Sequence, residues 1–328
     1  AFDHISKYNA FFSEEIDKPL LKSGRFQWSK IFNLFNPFLI FNLIRSIFSV
    51  KPEVVFIFNL ELNFIWIFVA RFVFWRKYKV VYLCHEPKLN NEFQLSWVKN
   101  LFNSLFQKLS NVVVYPSEQS MKQGELLSYN SNSINGHLTF KARHNFKRKP
   151  TNTELLFFGA MDDNKNPSFI NLLDKLNLGS NIGISLSRVG IDITSSPIDY
   201  SPNIVRVDGF VSDSIKEQFF SNVGFIVLPY NTIRQSGVLA EAFSYGIPVI
   251  ATNIEGFSPY FKNGYNGLEL DVLDENKVLD LLYRVKGMTY TEYLSFCENA
   301  TKTYEQYFSI SSLSLFLENT VLPAAEES

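Results

Sequence analysis

Between Gln235 and Phe257 the chain reads QSGVLAEAFSYGIPVIATNIEGF, a stretch whose residue types and spacing suit an anion and, one turn further on, a pair of hydroxyls. Ser236 is a natural helix N-cap and Gly237 falls at the first helical position. The first-turn amides of a helix have no intrahelical acceptor and sit at the positive end of its dipole, which makes an anion site. Gly237 has no Cβ to hold a phosphate away. The dipole itself contributes only about 0.3–1 kcal/mol, or about 2 when desolvated, so a diphosphate also calls for a cation. Glu241 lies four residues on, along the same helix face. A carboxylate does not accept a phosphate, but it accepts two hydroxyl protons, and each such bond contributes about 1.5–3 kcal/mol. A ribose held one turn from its own diphosphate satisfies both groups. The competing reading makes Glu241 a cap or a salt-bridge partner on a solvated helix. Val238, Leu239, Ala240, Ala242 and Phe243 argue against solvation, and a buried acid needs partners.

The cation candidate is Lys165, in FFGAMDDNKNP just after an apolar run ending at Phe158; Gly159 there allows close backbone approach. Asp162 and Asp163 read as solvated turn residues. The four histidines (His4, His85, His137, His144) show no ligand-like spacing, so no structural zinc is expected. No paired carboxylates are placed for a double-displacement glycosidase.

The elements that must position these groups alternate along the chain. Strand-like runs are 53–59, 78–85 and 111–117, then 154–160, 181–190, 203–210, 223–230, 248–252 and 267–271. Helical text falls between them, near 168–176, 212–220, 237–245 and 276–285, and the tail over 290–322 is helical without further strands. Such alternation predicts parallel sheets with helices on both faces, hence two doubly wound, Rossmann-like α/β domains. Residues 124–150 lack long apolar runs and read as a linker region, which divides the chain into domains at 1–145 and 146–305 with a C-terminal helix over 306–328. In such sheets ligands sit beyond the carboxyl ends of the strands, which points to the turns after Leu83, Phe158, Val207, Leu228 and Thr252.

With 328 residues, 46% of them hydrophobic, each domain has enough apolar surface for its own core. The net charge of -1 gives no global field to recruit nucleic acid. Cys84 and Cys297 form no framework or CxxC, so a reducing cytosol is the expected compartment. The chain starts at Ala1 rather than methionine and shows no signal peptide, which fits a fragment whose first strand is missing. Residues 32–50 and 54–75 are apolar but interrupted by Asn, Pro, Glu and Arg, so they read as core elements rather than spans. In QLSWVKNLFNSLFQKL, Trp97, Leu101, Leu105 and Leu109 form a stripe with Phe102 and Phe106 beside it and Lys99 and Lys108 off it. Packing on the sheet is one use of that stripe. With the basic cluster Arg71, Arg76, Lys77 and Lys79, peripheral contact with an anionic membrane surface is the other.

From Glu154 to Tyr307 the segments LLFFGAMDDNKNP, VRVDGFVSDSIKEQFFSNVGFIVLPY and QSGVLAEAFSYGIPVIATNIEGFSPYFKNGYNGLEL resemble the carboxyl half of group 1 (family 4) glycosyltransferases. PEVVFIFN, KVVYLCHEP, NVVVYPSEQSMKQ and INGHLTF follow the amino half loosely, in the expected order. The resemblance implies the GT-B fold, two Rossmann-like domains facing a central cleft, with the first binding the acceptor. It implies retaining transfer of a sugar from a nucleotide-diphosphate-sugar donor to a glycan or polyprenyl-linked acceptor, of hexosyltransferase type, with no cofactor and no obligatory metal. By position, Glu241 corresponds to the acid on the ribose, Lys165 to the lysine on the diphosphate, and Ser236, Gly237 and Val238 to the phosphate-binding helix start. Val211 corresponds to a backbone contact to the base, and Gly159, Pro229 and Tyr230 complete the donor site. His85 corresponds to the histidine near the transferred sugar, with Glu86 beside it toward the acceptor. Two positions depart from the pattern: Ile233 stands where an acid is often found, as in a branch with QSG here, and Ala160 stands where an arginine often is. Those departures favour the rival expectation of a catalytically silent subunit supporting another transferase; a nucleotide-sugar epimerase of the same fold is a further rival. The expected setting is bacterial surface polysaccharide (O-antigen-type) synthesis in the cytoplasm, peripheral on the inner face of the cell membrane.

Overall fold

Val54–Ile57, Lys79–Leu83 and Val112–Tyr115 are short apolar runs rich in valine, the composition of parallel strands covered on both faces. In the computed structural model they are β1, β2 and β3, and Ser133–Asn135 adds β4. The structure describes residues 36–58, 64–74, 77–84, 87, 96–127, 132–136, 151–233 and 235–328. The chain divides into one unit made of Ala1–Leu138 with Ser314–Ser328 and a second made of Thr139–Leu313.

The first unit is a parallel sheet in the order β1-β2-β3-β4. Its helices are α1 (Pro37–Val50), α2 (Ile65–Val73), α3 (Ser96–Leu109) and α4 (Glu118–Leu127). Asn36 starts α1 by accepting from the amides of Phe38 and Leu39, with Pro37 at the first helical position. Ile47, Ile67, Phe68 and Phe106 cover one face of the sheet. The other face is covered from the far end of the chain: Val321 in a π-helical turn (Leu317–Val321) and Ala325 in the terminal helix Leu322–Glu327 pack on Val81, Leu83, Val112 and Val114. β4 corrects the reading of 124–150 as linker. Three residues are too few for an apolar period, yet Ser133–Asn135 pairs in register with Val113–Tyr115.

Helix α3 turns its polar residues inward. Asn103 and Gln107 are buried beside Phe106. Asn103 Oδ1 accepts from the Tyr82 hydroxyl at 2.7 Å, Asn103 Nδ2 donates to the Pro87 carbonyl at 2.9 Å, and the Tyr115 hydroxyl donates to Gln107 Oε1 at 2.8 Å. With those bonds made inside, Trp97 and Leu101 stay 67% and 52% exposed. Among the described residues no helix is long and apolar enough to cross a membrane.

The second unit is a six-stranded parallel sheet in the order β10-β9-β8-β5-β6-β7. The strands are β5 (Glu154–Met161), β6 (Ser185–Asp192), β7 (Val205–Asp208), β8 (Phe225–Leu228), β9 (Val249–Thr252) and β10 (Gly267–Leu270). Strand β6 starts four residues later than expected, because Asn181 and Gly183 take positive φ (49° and 77°) and Asn177 clamps the Ile184 backbone through two bonds of 2.9 Å. Helices α5 (Phe169–Gly179), α8 (Glu275–Gly287) and α9 (Tyr290–Tyr307) cover one face over Phe157, Leu186 and Phe225. Helices α6 (Asp213–Asn222) and α7 (Gly237–Ser244) cover the other over Leu156, Val189 and Leu228. After β5 the order runs outward to β6 and β7, then restarts at β8 on its other side. The carboxyl ends of β5 and β8 therefore flank the topological switch point, where this class of sheet opens a crevice.

Candidate functional site

The groups singled out in the second unit converge on that switch point. Ser236 is extended (φ −116°, ψ 113°) and its hydroxyl accepts from the Leu239 amide at 3.2 Å, so it caps α7. Gly237 opens the helix, and a Cβ built on it meets no atom within 4 Å. The amides of Gly237 and Val238 belong to the turn that helix geometry leaves without carbonyls. Leu239, Ala240, Ala242 and Phe243 are buried in the core below, which fixes the direction in which this helix start points.

Two turns brace it. Gly159, near the end of β5, has φ 104°, and a Cβ there would stand 3.2 Å from Val238 Cγ2; glycine lets the strand end lie against the helix start. The loops after β5 and β8 are clasped: the Asn231 amide donates to the Asn164 carbonyl at 2.8 Å, the Thr232 hydroxyl donates to Asn164 Oδ1 at 3.0 Å, and Asn164 Nδ2 donates to the Thr232 carbonyl. Lys165 sits in this clasp. Its ammonium donates to the Ala160 carbonyl, lies 3.6 Å from Asp162 Oδ2 and is 5.9 Å from the Tyr230 ring centroid. Asp162 is the N-cap of the short 3-10 turn Asp163–Lys165, and Asp163 accepts from the Ser195 amide, so neither acid is a bare turn residue.

Pro229 and Tyr230 are buried behind the helix start, with Tyr230 packed on Phe257 at 5.5 Å. The Tyr230 hydroxyl lies beside Ser236 but makes no well-formed hydrogen bond among the described residues, and burial pushes the phenol well above its ordinary range. Val211 packs against the same core just ahead of Ser212, the N-cap of α6. Ile233, where an acid is often found in the resemblance, packs its backbone on Gly256, whose Cβ would meet the Ile233 carbonyl at 1.9 Å.

Glu241 is a salt-bridge partner, as the competing reading had it, but on a buried helix rather than a solvated one and to a lysine the sequence reading did not name. Lys216 of α6 reaches across to it, Nζ to Oε1 at 2.9 Å, with side-chain exposures of 17% and 9%. Asp213 takes the same ammonium from one turn earlier at 3.1 Å. Burial opposes the Lys216 charge, but the hydrogen bonds to Glu241 and Asp213 outweigh it and hold its pKa above that of an ordinary lysine. Burial, the largest cause, pushes the neighbouring Tyr245 phenol up to about 12; Lys216 draws it down and Glu241 raises it. The pair joins residues 25 apart in sequence on two helices, and no local spacing announces it. The only sequence signal was a lysine one turn after the Ser-Asp start of α6, facing an otherwise apolar helix.

Gly159, Lys165, Tyr230, Ser236, Gly237, Val238 and Glu241 thus share one region of one unit, with Val211 at the start of the helix that carries Lys216. His85 and Glu86 lie outside the described residues. Chemically, the region offers two first-turn amides and, one helical turn on, a buried carboxylate, with the Lys165 ammonium in the clasped loop beside Tyr230.

Residues 152–285 match the family model described as Glycosyl transferases group 1. No curated protein matches the chain. Among solved structures, Anabaena Alr3699/HepE in complex with UDP-glucose superposes with a TM-score of 0.63 at 13% identity, covering 87% of this chain and 82% of that one. The sucrose-phosphate synthase (tll1590) of Thermosynechococcus elongatus gives 0.63 at 14% identity over 95% and 82% of the two chains. The lipopolysaccharide outer core galactosyltransferase WaaB, apo form, gives 0.57 at 16% identity over 89% and 82%. At these identities the likeness is one of fold.

Proposed function

We propose that this chain, which carries a group 1 glycosyltransferase domain over residues 152–285 and folds in the GT-B class, is a retaining transferase that moves a sugar from a nucleotide-diphosphate-sugar to a glycan or polyprenyl-linked acceptor. The observation that carries the reading is the open start of α7, with space above Gly237, set between the Lys165 turn and the buried Glu241. The diphosphate takes the Gly237 and Val238 amides and the Lys165 ammonium, and the ribose hydroxyls take Glu241. Val211 and Tyr230 bound the nucleoside. Complexes of HepE with UDP-glucose and with UDP support a nucleotide-sugar as the donor class.

In the transfer, the bond from the sugar's anomeric carbon to the β-phosphate oxygen breaks and a bond from that carbon to the acceptor oxygen forms on the same face. The acceptor's proton passes to the leaving phosphate. Charge building on the diphosphate is what the amides and Lys165 are placed to stabilise, in the manner of an oxyanion site. His85 orients the transferred sugar and Glu86 the acceptor. No obligatory metal enters this scheme.

The setting we propose is bacterial surface polysaccharide synthesis in the cytoplasm, peripheral on the inner face of the cell membrane. Exposed Trp97 and Leu101 on α3 support it, as do Phe38 and Phe41 on α1 and Phe72 on α2. From residue 36 to 115 the sequence carries nine basic residues (Arg45, Lys51, Arg71, Arg76, Lys77, Lys79, Lys88, Lys99 and Lys108) against four acids (Glu53, Glu61, Glu86 and Glu92), an excess that suits an anionic surface.

A screen of UDP-, GDP- and ADP-sugars with released diphosphate as readout tests the donor half, and failure of every diphosphate to bind would overturn it. A catalytically silent subunit is the second reading, favoured by Ile233 and Ala160; it binds nucleotide but releases none from a sugar donor with any acceptor.

A further inference from the structure

We infer that Lys216 belongs to the donor site as a positioning residue: its ammonium locks the Glu241 carboxylate for the ribose and keeps a third N–H for a ribose oxygen, so it sets the preference for ribo- over deoxyribonucleotides. This rests on reading Glu241 as the ribose carboxylate.

The geometry makes the placement. Ser212 caps α6 through the Ile215 amide, and Lys216 is one turn on, its own amide bonded to the Ser212 carbonyl at 3.0 Å. Helix α6 therefore begins where Val211 meets the site, and its second turn delivers the ammonium to Glu241 Oε1. An ammonium has three donors. Glu241 and Asp213 account for two among the described residues. A carboxylate has about four lone-pair sites, and the Lys216 bond takes one of those on Oε1.

The charged and titratable groups around the pair are Asp213 and Glu217 on α6 and Tyr245 on α7. Tyr245 stays neutral through the physiological range because burial pushes it up to about 12. Lys216 titrates above an ordinary lysine, so whatever the pair contributes is fully present below the ordinary lysine range and is lost only as pH rises through the elevated value. Between pH about 7 and 8.5 the ammonium therefore stays charged, above the titration of the nucleotide's own terminal phosphate at about pH 6.

The test is calorimetry of UDP, GDP and ADP, each beside its 2′-deoxy counterpart, on the wild-type chain and on Lys216→Met, Lys216→Arg and Glu241→Gln, across that pH range. The expected result is a tenfold or greater ribo preference in the wild type. In Lys216→Met the ribonucleotide weakens about tenfold and the preference shrinks several-fold; Lys216→Arg restores both. Where the methionine variant does not melt cooperatively, Lys216→Gln takes its place with the same expectation. If Lys216→Met keeps the wild-type preference across that range while Glu241→Gln loses it, Lys216 is structural only and the ribose reading of Glu241 stands. If Glu241→Gln also keeps the preference, or no diphosphate binds the wild type, both readings fall.

Discussion

Gly237→Val separates the binding role of the α7 start from its structural one. Gly237 is helical, and a Cβ on it meets nothing within 4 Å, so a side chain leaves the backbone there into open space. Valine exceeds glycine in helix propensity by a few tenths of a kcal/mol, so the melting temperature should stay within about 2 °C of the wild type or rise slightly. The branched side chain fills the space above the Gly237 and Val238 amides. Each amide bond to a charged phosphate contributes about 1.5–3 kcal/mol, and the dipole about 0.3–1 more. A ligand that shifts to avoid the side chain keeps part of this, so the expected loss is about 2–4 kcal/mol, or roughly 30- to 1,000-fold in nucleoside diphosphate affinity. Calorimetry beside a thermal melt gives both numbers. Affinity within twofold of wild type, with an unchanged melt, would show that phosphate does not sit on this helix start and would take the donor-site assignment with it.

Three further outcomes are expected. Gly159→Ala forces a side chain into positive φ, at a cost of about 1–2 kcal/mol, and crowds Val238 at 3.2 Å, so nucleotide affinity and the melting temperature should fall together; an unmoved melt refutes the brace. Asn103→Leu strands the Tyr82 hydroxyl and the Pro87 carbonyl, and should cost the first unit about 1–3 kcal/mol in a denaturant titration while leaving nucleotide affinity unchanged. Trp97→Glu combined with Leu101→Glu places charge on exposed positions of α3, so it should abolish flotation with anionic vesicles and leave the melt alone; undiminished flotation would put the lipid contact elsewhere.

The sheets were legible because each central strand is buried on both faces and so reads as an apolar run: Phe225–Leu228 and Val249–Thr252 are buried at every residue. The start of α7 was legible because Ser-Gly is local cap chemistry that needs no partner from elsewhere. What escaped is non-local or too short. Lys216 meets Glu241 across 25 residues and two helices, and Ser133–Asn135 is strand only because Val113–Tyr115 offers it an edge. Helix α3 itself was legible, but the makeup of its buried face escaped for a different reason. Its apolar stripe predicts which face is hydrophobic, but Asn103 and Gln107 find hydroxyl and carbonyl partners on the sheet, so the buried face is partly polar and Trp97 is left outside.

The two charged groups of the proposed donor site are held in unequal ways, and that inequality says which of them moves when a nucleotide arrives. Lys165 leans on Asp162 at 3.6 Å, where the acid is 39% exposed, an ion pair in the range worth about 0–1 kcal/mol. Its bond to the Ala160 carbonyl is one a phosphate oxygen replaces in kind. Swinging Lys165 onto a diphosphate therefore costs little. Glu241 is another case: breaking a fully buried pair costs about 3–5 kcal/mol, somewhat less here because Lys216 keeps 17% of its exposure. Two ribose hydroxyl bonds at about 1.5–3 kcal/mol each only about offset that, so breaking the pair leaves little net affinity. The nucleoside must settle around an intact Glu241–Lys216 pair, and the diphosphate must recruit Lys165. A nucleotide complex should accordingly show Lys165 released from Ala160 and the 2.9 Å Lys216–Glu241 contact preserved. The reverse pattern would mean that the carboxylate, not the lysine of the clasp, is the adjustable part of this site.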